Sequence, residues 1–265
     1  MRRLAVTFIL LLFCSQIRAQ SWELGAFGGG IGYMGDLNPD NVFKLSDPAY
    51  GFLVKRNIDP RWAVKLSVMH GKMKGADSLS SNPHQQQRNL SFVTPLTEIS
   101  FQGEFNFFDY LPSAGKRRFS PYLFAGAALS MFNPKTQVNG ELVELNPLRT
   151  EYKDYRKYTI SIPYGAGIKY NISGMWTLGA ELGYRTSFSD YMDDVSGRYP
   201  AREDVYYGRD GFKPVNLTDR SEELGRGKLF SSGQQRGDSK VRDRYFFTGI
   251  TLTYTFMNCN CPPVF

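Results

Sequence analysis

From Leu96 to Asp109 the chain reads LTEISFQGEFNFFD, and its side chains sort by parity. Ile99, Phe101, Phe105 and Phe107 fall on one side; Glu98, Ser100, Gln102, Glu104 and Asn106 fall on the other. Successive strand residues point to opposite faces, so this is a strand with one greasy and one polar face. Thr159 to Asn171 repeats the pattern, with Ile160, Ile162, Tyr164, Ala166, Ile168 and Tyr170 set against Thr159, Ser161, Gly165, Gly167, Lys169 and Asn171. So does Trp176 to Arg185, with Trp176, Leu178, Ala180, Leu182 and Tyr184 against Thr177, Gly179, Glu181, Gly183 and Arg185. Applied along the chain, the pattern predicts eight strands at roughly 22–34, 48–58, 62–74, 95–108, 119–132, 158–171, 176–187 and 242–256. At about ten to fifteen residues each, they are long for a soluble sheet and long enough to cross a bilayer at a tilt.

The connections alternate in length. Asp59-Pro60-Arg61, Tyr110 to Arg118 and Ile172 to Met175 are short, whereas 35–47, 75–94, 133–157 and 188–241 are long. Hairpins inserted from one side of a membrane leave tight turns on the entry side and long loops outside. An even number of strands fits a closed barrel, because an open edge in hydrocarbon would leave backbone N–H and C=O groups unpaired. The predicted fold is therefore all-β: an eight-stranded antiparallel transmembrane, outer-membrane β-barrel with short periplasmic turns and long extracellular loops. A soluble β-sandwich also alternates. Long strands, loop lengths that differ between the two sides, and aromatics near strand ends favour the membrane barrel; those aromatics are Trp22, Tyr33, Trp62, Tyr122, Tyr158, Tyr170, Trp176, Tyr184 and Tyr245.

The start of the chain agrees. Arg2 and Arg3 precede an apolar run from Leu4 to Phe13 and a polar stretch ending Arg18-Ala19-Gln20. These are the parts of a secretory signal peptide, residues 1–20, with a run too short to span a bilayer as a helix. Cys14 follows Phe13 rather than a small residue, which disfavours a lipoprotein anchor. Cleavage removes three arginines and no acid, so the net charge falls from +7 to +4. That excess is mild and unclustered, and no nucleic-acid partner is expected. Cys259 and Cys261 remain, both in a periplasmic tail at 257–265. In an oxidising compartment they are candidates for contact with a partner, since cysteines so close together close a strained ring.

On this reading residues 21–256 form the barrel, with lipid outside and a narrow, side-chain-filled lumen. The inward candidates are Lys55, Lys65, Glu98, Gln102, Glu104, Lys169, Glu181 and Arg185. Mixed acids and bases can neutralise one another as a plug, or they can line a proton or ion path. Gly30-Ile31-Gly32-Tyr33-Met34-Gly35 fits G-x-G-x-x-G, but the turn-rich Asp36 to Asn41 follows it, not a helix, so a dinucleotide site is not expected. Instead Gly28, Gly30 and Gly32 are read as small inward residues that make room in the lumen, with Phe27, Ile31 and Tyr33 on the lipid side and Tyr33 at a membrane rim.

No catalytic, cofactor-binding or metal-ligating set emerges. His70 falls at the outer end of strand three on the lipid-facing parity, and His84 lies in a polar loop. Asp190, Asp193 and Asp194 could hold Ca²⁺ loosely, but are read as solvated loop acids. No enzymatic activity, cofactor or small-molecule substrate is expected. Loop 188–241, about fifty-four residues rich in Arg, Asp, Gly, Ser and Tyr, suits either protein contact through Tyr and Arg anchors or disorder.

Two patches carry a family resemblance: Tyr33, Gly35, Asp36 and Leu37 of a YxGDL turn, and Arg185 to Ser196, R-x-x-x-x-D-Y-x-D-D-V-S. With the strand layout they resemble the outer-membrane barrels of Bacteroidetes-type bacteria, and among these the PorG barrels of the type IX secretion system. The resemblance implies a non-enzymatic barrel in protein export and, in some species, gliding. Its implied partners are outer-membrane lipid, a PorK-like lipoprotein and a PorN-like periplasmic ring protein. A generic small barrel with an adhesive or membrane-stabilising role is the alternative, and a rim enzyme a further one.

Overall fold

The computed structural model describes residues 21–38, 44–110, 118–200, 205–208, 214–225 and 227–257. The expected signal peptide and Cys259 and Cys261 of the tail lie outside the described residues. Eight long strands run β1 (Ser21–Met34), β2 (Asp47–Asn57), β3 (Trp62–Ala76), β4 (Ser91–Asn106), β5 (Phe119–Phe132), β8 (Tyr158–Ser173), β9 (Trp176–Ser187) and β12 (Arg244–Met257). Each pairs antiparallel with its neighbour in the chain, and β1 pairs with β12 from Ser21↔Met257 to Met34↔Arg244. The sheet therefore closes on itself as an up-and-down barrel with no free edge among the long strands. This is the fold class that the alternation and loop lengths predict.

Closure leaves an inverted surface. Outward positions carry Trp22, Leu24, Phe52, Leu66, Phe101, Leu123, Ile168 and Ile250, all exposed, while inward positions carry buried Glu, Lys, Ser and Thr. Such an exterior is stable only against lipid. An aromatic girdle marks the short-turn end. Trp62 lies 4.9 Å from Phe105, Trp176 5.0 Å from Tyr254, and Tyr254 4.9 Å from Phe256, ring centre to ring centre. At the other end of the band the rings of Tyr50 and His70 lie 5.9 Å apart. Eight residues separate Trp62 from His70, which spans roughly 20 Å once strand tilt is allowed for.

Three aromatics expected at a membrane rim point inward instead. Tyr33, Tyr122 and Tyr245 are buried, and each hydroxyl reaches a buried acid. The parity expected for the first strand is also reversed. Phe27, Ile31 and Tyr33 face the interior, whereas Gly28, Gly30 and Gly32 face out. These glycines do not clear the lumen. A Cβ on Gly30 would meet the Leu45 side chain, and one on Gly32 would meet the Phe246 ring and the Lys44 carbonyl. Gly30 and Gly32 form a flat bed on which the segment Lys44–Leu45 folds back against the outer wall, burying Phe246 although it points outward. The room inside comes from other glycines: Gly165 and Gly183 face Phe124, and Gly167 faces Tyr122.

The described parts of the long loops are structured. Loop 75–94 holds a turn of 3-10 helix at Asp77–Leu79 and a short helix, α1 (Pro83–Arg88), capped by the Asn82 side chain. Loop 133–157 contains a hairpin of β6 (Lys135–Val138) and β7 (Glu141–Glu144), turned by Asn139 and Gly140, both at positive φ. Asn-Gly supplies that backbone geometry at low cost. Loop 188–241 carries a two-residue ladder, β10 (Tyr206–Tyr207) with β11 (Val215–Asn216). No helix among the described residues is long and apolar enough to cross a membrane; crossing is by strands.

The bed of glycines gives a test. Around Gly28 nothing lies within 4 Å of an added Cβ, so Gly28→Ala is expected to keep the heat-modifiable gel migration of a closed barrel. Gly32→Leu is expected to displace Phe246 and the Lys44–Leu45 segment, and to reduce the heat-modifiable fraction.

Candidate functional site

Two polar constellations stand out, one in the lumen and one over its outer mouth. In the lumen, the inward strand positions bring together four cations, Lys55, Lys65, Lys169 and Arg185, and four anions, Glu23, Glu98, Glu104 and Glu181, all buried. Glu104 on β4 is the hub. Its carboxylate lies 2.9 Å from Lys55 Nζ, 2.9 Å from Lys169 Nζ and 3.4 Å from Lys65 Nζ. Lys65 also reaches Glu181 at 2.7 Å, and Arg185 donates to Glu98 at 3.3 Å. Tyr245 donates to Glu98 at 2.6 Å and Tyr122 to Glu181 at 3.1 Å. Lys169 lies 4.4 Å from the Tyr122 ring centre, and Lys65 4.7 Å from that of Phe124. Gln102 shares this face; its amide donates to Ser100 and its carbonyl oxygen is buried without a partner.

Buried charges survive when every charge has an opposite number and its remaining bonding capacity is met. Here the cations and anions match, and aromatic faces cover the ammonium groups. Between Lys65, Glu98, Glu181 and Arg185 only about 10 Å³ of free volume remains, room for one water at most. Packing this tight around paired charges favours a plug over a hydrated path. Glu23 belongs to the cluster too, accepting from Asn57 at 2.7 Å and Thr253 at 3.1 Å. Sequence reading missed it, although its place between outward Trp22 and Leu24 carries the signal.

The second constellation seals the outer mouth. Two buried arginines stitch the loops together. Arg88 of α1 forks onto both Asp77 oxygens at 2.7 Å and donates to the Asp36 and Arg236 carbonyls. Arg236 donates to Glu151 at 2.9 Å, to the Asp194 carbonyl at 2.7 Å and to the Thr218 carbonyl at 3.2 Å. Residues of all four long loops are thus tied into one cap. Asp193 and Asp194, expected as solvated acids, are buried within it, and Asp190 is half-buried. Asp194 accepts from Tyr155 at 2.6 Å and from Thr150.

Tyr33 lies beneath this cap, with its hydroxyl 2.6 Å from Asp193 and 2.7 Å from Asp243. One hydroxyl has a single proton to give, so one of the two carboxyls is itself protonated and donates back. Burial raises both aspartates well above the ordinary carboxylate range, and their mutual repulsion raises Asp193 further. Burial likewise lifts Asp36 and Asp194 to about 6 and Asp190 to about 7. Among the described residues no group of three ligating side chains is placed to hold a metal.

His70 stands apart from both constellations, whereas His84 lines a cavity beside the cap with Asp36, Arg88, Arg236 and Asp238. His70 faces lipid, with Nδ1 3.0 Å from Thr97 Oγ1, and the His84 ring packs edge-on against Phe230 at 5.1 Å.

Comparison with known proteins places the chain in a family. The family model described as "Domain of unknown function (DUF6089)" matches residues 2–217, and the chain belongs to that family. No curated protein matches. Among solved structures the chain is similar to OprG of Pseudomonas aeruginosa, at 9% identity over 90% of this chain and 97% of that one, with a TM-score of 0.45. It is also similar to Ail of Yersinia pestis, in complex with the heparin analogue sucrose octasulfate, at 10% identity over 90% and 100% of the two chains and a TM-score of 0.42. A third is the N-terminal barrel domain of OprF of Pseudomonas aeruginosa, at 13% identity over 89% and 97%, with a TM-score of 0.39.

Two outcomes test these sites. Glu104→Gln removes the anion shared by three lysines and should destabilise the barrel by about 3–5 kcal/mol, read from its urea unfolding midpoint in lipid. The cap should loosen as pH rises. Its aspartates hold their protons more tightly when folded than when unfolded, so their contribution is complete below the unfolded carboxylate value and lost as pH rises through about 6 to 7. Amide exchange at Met192 and Val195, corrected for its intrinsic rate, should show less protection at pH 8 than at pH 5. Asp243→Asn should blunt that difference.

Proposed function

We propose that this DUF6089 barrel is a structural component of the bacterial outer membrane, holding a protein assembly in place rather than passing a solute or turning over a substrate. The observation that carries this reading is the sealed lumen. Lys55, Lys65 and Lys169 converge on Glu104 where a channel would need water, and the loops are latched across the mouth above. The closed sheet, lipid-facing exterior and aromatic girdle support the outer membrane as its location.

The assembly we favour is the type IX secretion machinery, with a PorK-like lipoprotein and a PorN-like periplasmic ring protein as partners. This finer reading rests on the resemblance at Tyr33, Gly35, Asp36 and Leu37 and at Arg185 to Ser196. These two patches meet in space, since Tyr33 bonds Asp193 at the base of the cap. They therefore build the outer end of the barrel, and the contact with a periplasmic ring falls to the short turns and the tail, with Cys259 and Cys261. A generic membrane-stabilising or adhesive barrel is the second reading, favoured by the rigidity that Arg88 and Arg236 give the cap.

Deletion of the gene separates the two. On the secretion reading, cargo export fails, and crosslinking from outer membranes recovers the lipoprotein and ring protein with the barrel. Normal export with no such partners would leave the generic barrel.

A further inference from the structure

At the outer end of β8, β9 and β12, exposed arginines stand over the lipid-facing wall. Arg244 pairs with Thr186, and Thr186 with Ile162. Beyond that row the Ser187 amide donates to the Asp243 carbonyl at 3.2 Å, and the Phe188 amide to the Ile160 carbonyl at 3.0 Å. Arg242 is thereby set beside Phe188, with its guanidinium 5.1 Å from the ring centre. Arg156, two residues before the start of β8, holds its guanidinium 5.7 Å from the Tyr158 ring centre. Toward the membrane the wall is apolar. Leu182 lies four residues inward of Thr186 along β9, and Ile250 six residues inward of Arg244 along β12. Those steps are roughly 10 to 15 Å once strand tilt is allowed for. Both side chains are exposed, as are Ile160 and Ile162. The cations thus stand at the outer margin of the apolar band, and the greasy wall lies on their membrane side.

These charges are unanswered. Other cations of the outer rim have partners: Lys74 pairs with Asp47 at 2.7 Å, Arg149 with Asp154 at 2.7 Å and Lys157 with Glu144 at 3.2 Å. Among the described residues no carboxylate lies within ion-pair distance of Arg156, Arg242 or Arg244. Asp243 sits between two of them in the chain but points inward, where it bonds the Tyr33 hydroxyl and the Met192 amide. A guanidinium over an aromatic face is held by the ring while its N–H groups stay free for an anion. Its planar fork matches two oxygens of a phosphate. Arginines above an apolar wall therefore complement a molecule with phosphate on its head and acyl chains beneath. Each such cation at a membrane surface favours anionic lipid by about five-fold in affinity.

We infer that this rim binds a phosphate-bearing glycolipid of the outer leaflet, its phosphates on Arg156, Arg242 and Arg244 and its acyl chains along Ile160, Ile162, Leu182 and Ile250. The inference rests on the proposed placement of the long loops outside the cell, which is measured separately. Ser232→Cys, exposed in loop 188–241, should react on intact cells, above the level of the parent, with a polymer-linked maleimide too large to cross the outer membrane. No reaction would overturn the placement, and the inference with it.

The binding test uses the full mature chain in neutral detergent, titrated with bis-phosphorylated lipid A, dephosphorylated lipid A and inorganic phosphate, with bound lipid counted by native mass spectrometry. Arg242→Gln/Arg244→Gln alters exposed side chains, and heat-modifiable migration reports whether it folds. The control, Lys72→Gln/Lys74→Gln, removes the same charge from exposed positions at the outer end of β3, three strands away. The expected result is that the arginine variant binds bis-phosphorylated lipid A on the order of ten- to thirty-fold more weakly, while the lysine variant stays close to the parent. Arg156→Gln alone, outside the strands, should weaken it by about five-fold, and keeps the test open should the pair misfold. Dephosphorylated lipid A should bind the parent and the arginine variant equally and weakly. Equal affinity of the parent and the folded arginine variants for bis-phosphorylated lipid A would overturn the inference. An equal loss in the arginine and lysine variants would overturn it too, since net charge would then suffice. So would tight binding of the dephosphorylated lipid, or binding of inorganic phosphate without the lipid. None of these readouts depends on the secretion partners, so the two proposals stand or fall apart.

Discussion

A backbone inside hydrocarbon has no water to bond, and every other feature of this chain follows from that constraint. The pairing of β1 with β12 removes the last open edge. Closure over eight strands fixes a lumen too narrow for a hydrated channel, so the inward face must be completed by side chains. The outward face must then be apolar, and the inward face is free to be polar only if its groups satisfy one another. The lysines converging on Glu104 are the resolution of that second demand.

Much of this was legible in the sequence because membrane barrels write their two faces in alternate residues. Glu98, Gln102, Glu104, Lys169, Glu181 and Arg185 could be placed on the inner face by parity alone, since each has a bulky aliphatic or aromatic residue on at least one side. Parity failed in the first strand, where Gly28, Gly29, Gly30 and Gly32 erase the contrast between faces. The correct phase was present upstream in Trp22, Glu23 and Leu24, and it carries through to Tyr33 without a bulge. Tyrosine is ambiguous for a different reason. Its ring suits a membrane rim and its hydroxyl suits a buried acid, so Tyr33, Tyr122 and Tyr245 could not be assigned by residue type. Which cation would meet which anion was not legible either, because Lys65 and Glu181 are brought together across the barrel and not along a ladder.

The cap shows the same limit more sharply. A loop rich in Arg, Asp, Gly and Ser reads as solvated or disordered, because composition measures the cost of burial and not the partners that offset it. Arg88 and Arg236 supply those partners by donating to carboxylates and backbone carbonyls of separate loops. The hairpin turned by Asn139-Gly140 has a local sequence signal, although the sequence reading covers it only as part of the long connection 133–157. The Tyr33–Asp193–Asp243 contact then joins the cap to the barrel wall, beside an apolar cluster that includes Leu37, Phe92, Met192 and Val195.

The inward charges also have an order. From the N-terminus they run Glu23, Lys55, Lys65, Glu98, Glu104, Lys169, Glu181 and Arg185. Accumulated in that order, their sum never departs from zero by more than one unit. A sheet that grows hairpin by hairpin therefore never presents more than one charge without a counterpart already in place. Electroneutrality is kept throughout assembly as well as at its end, and a chain of this kind can enter a membrane progressively without a strongly charged intermediate.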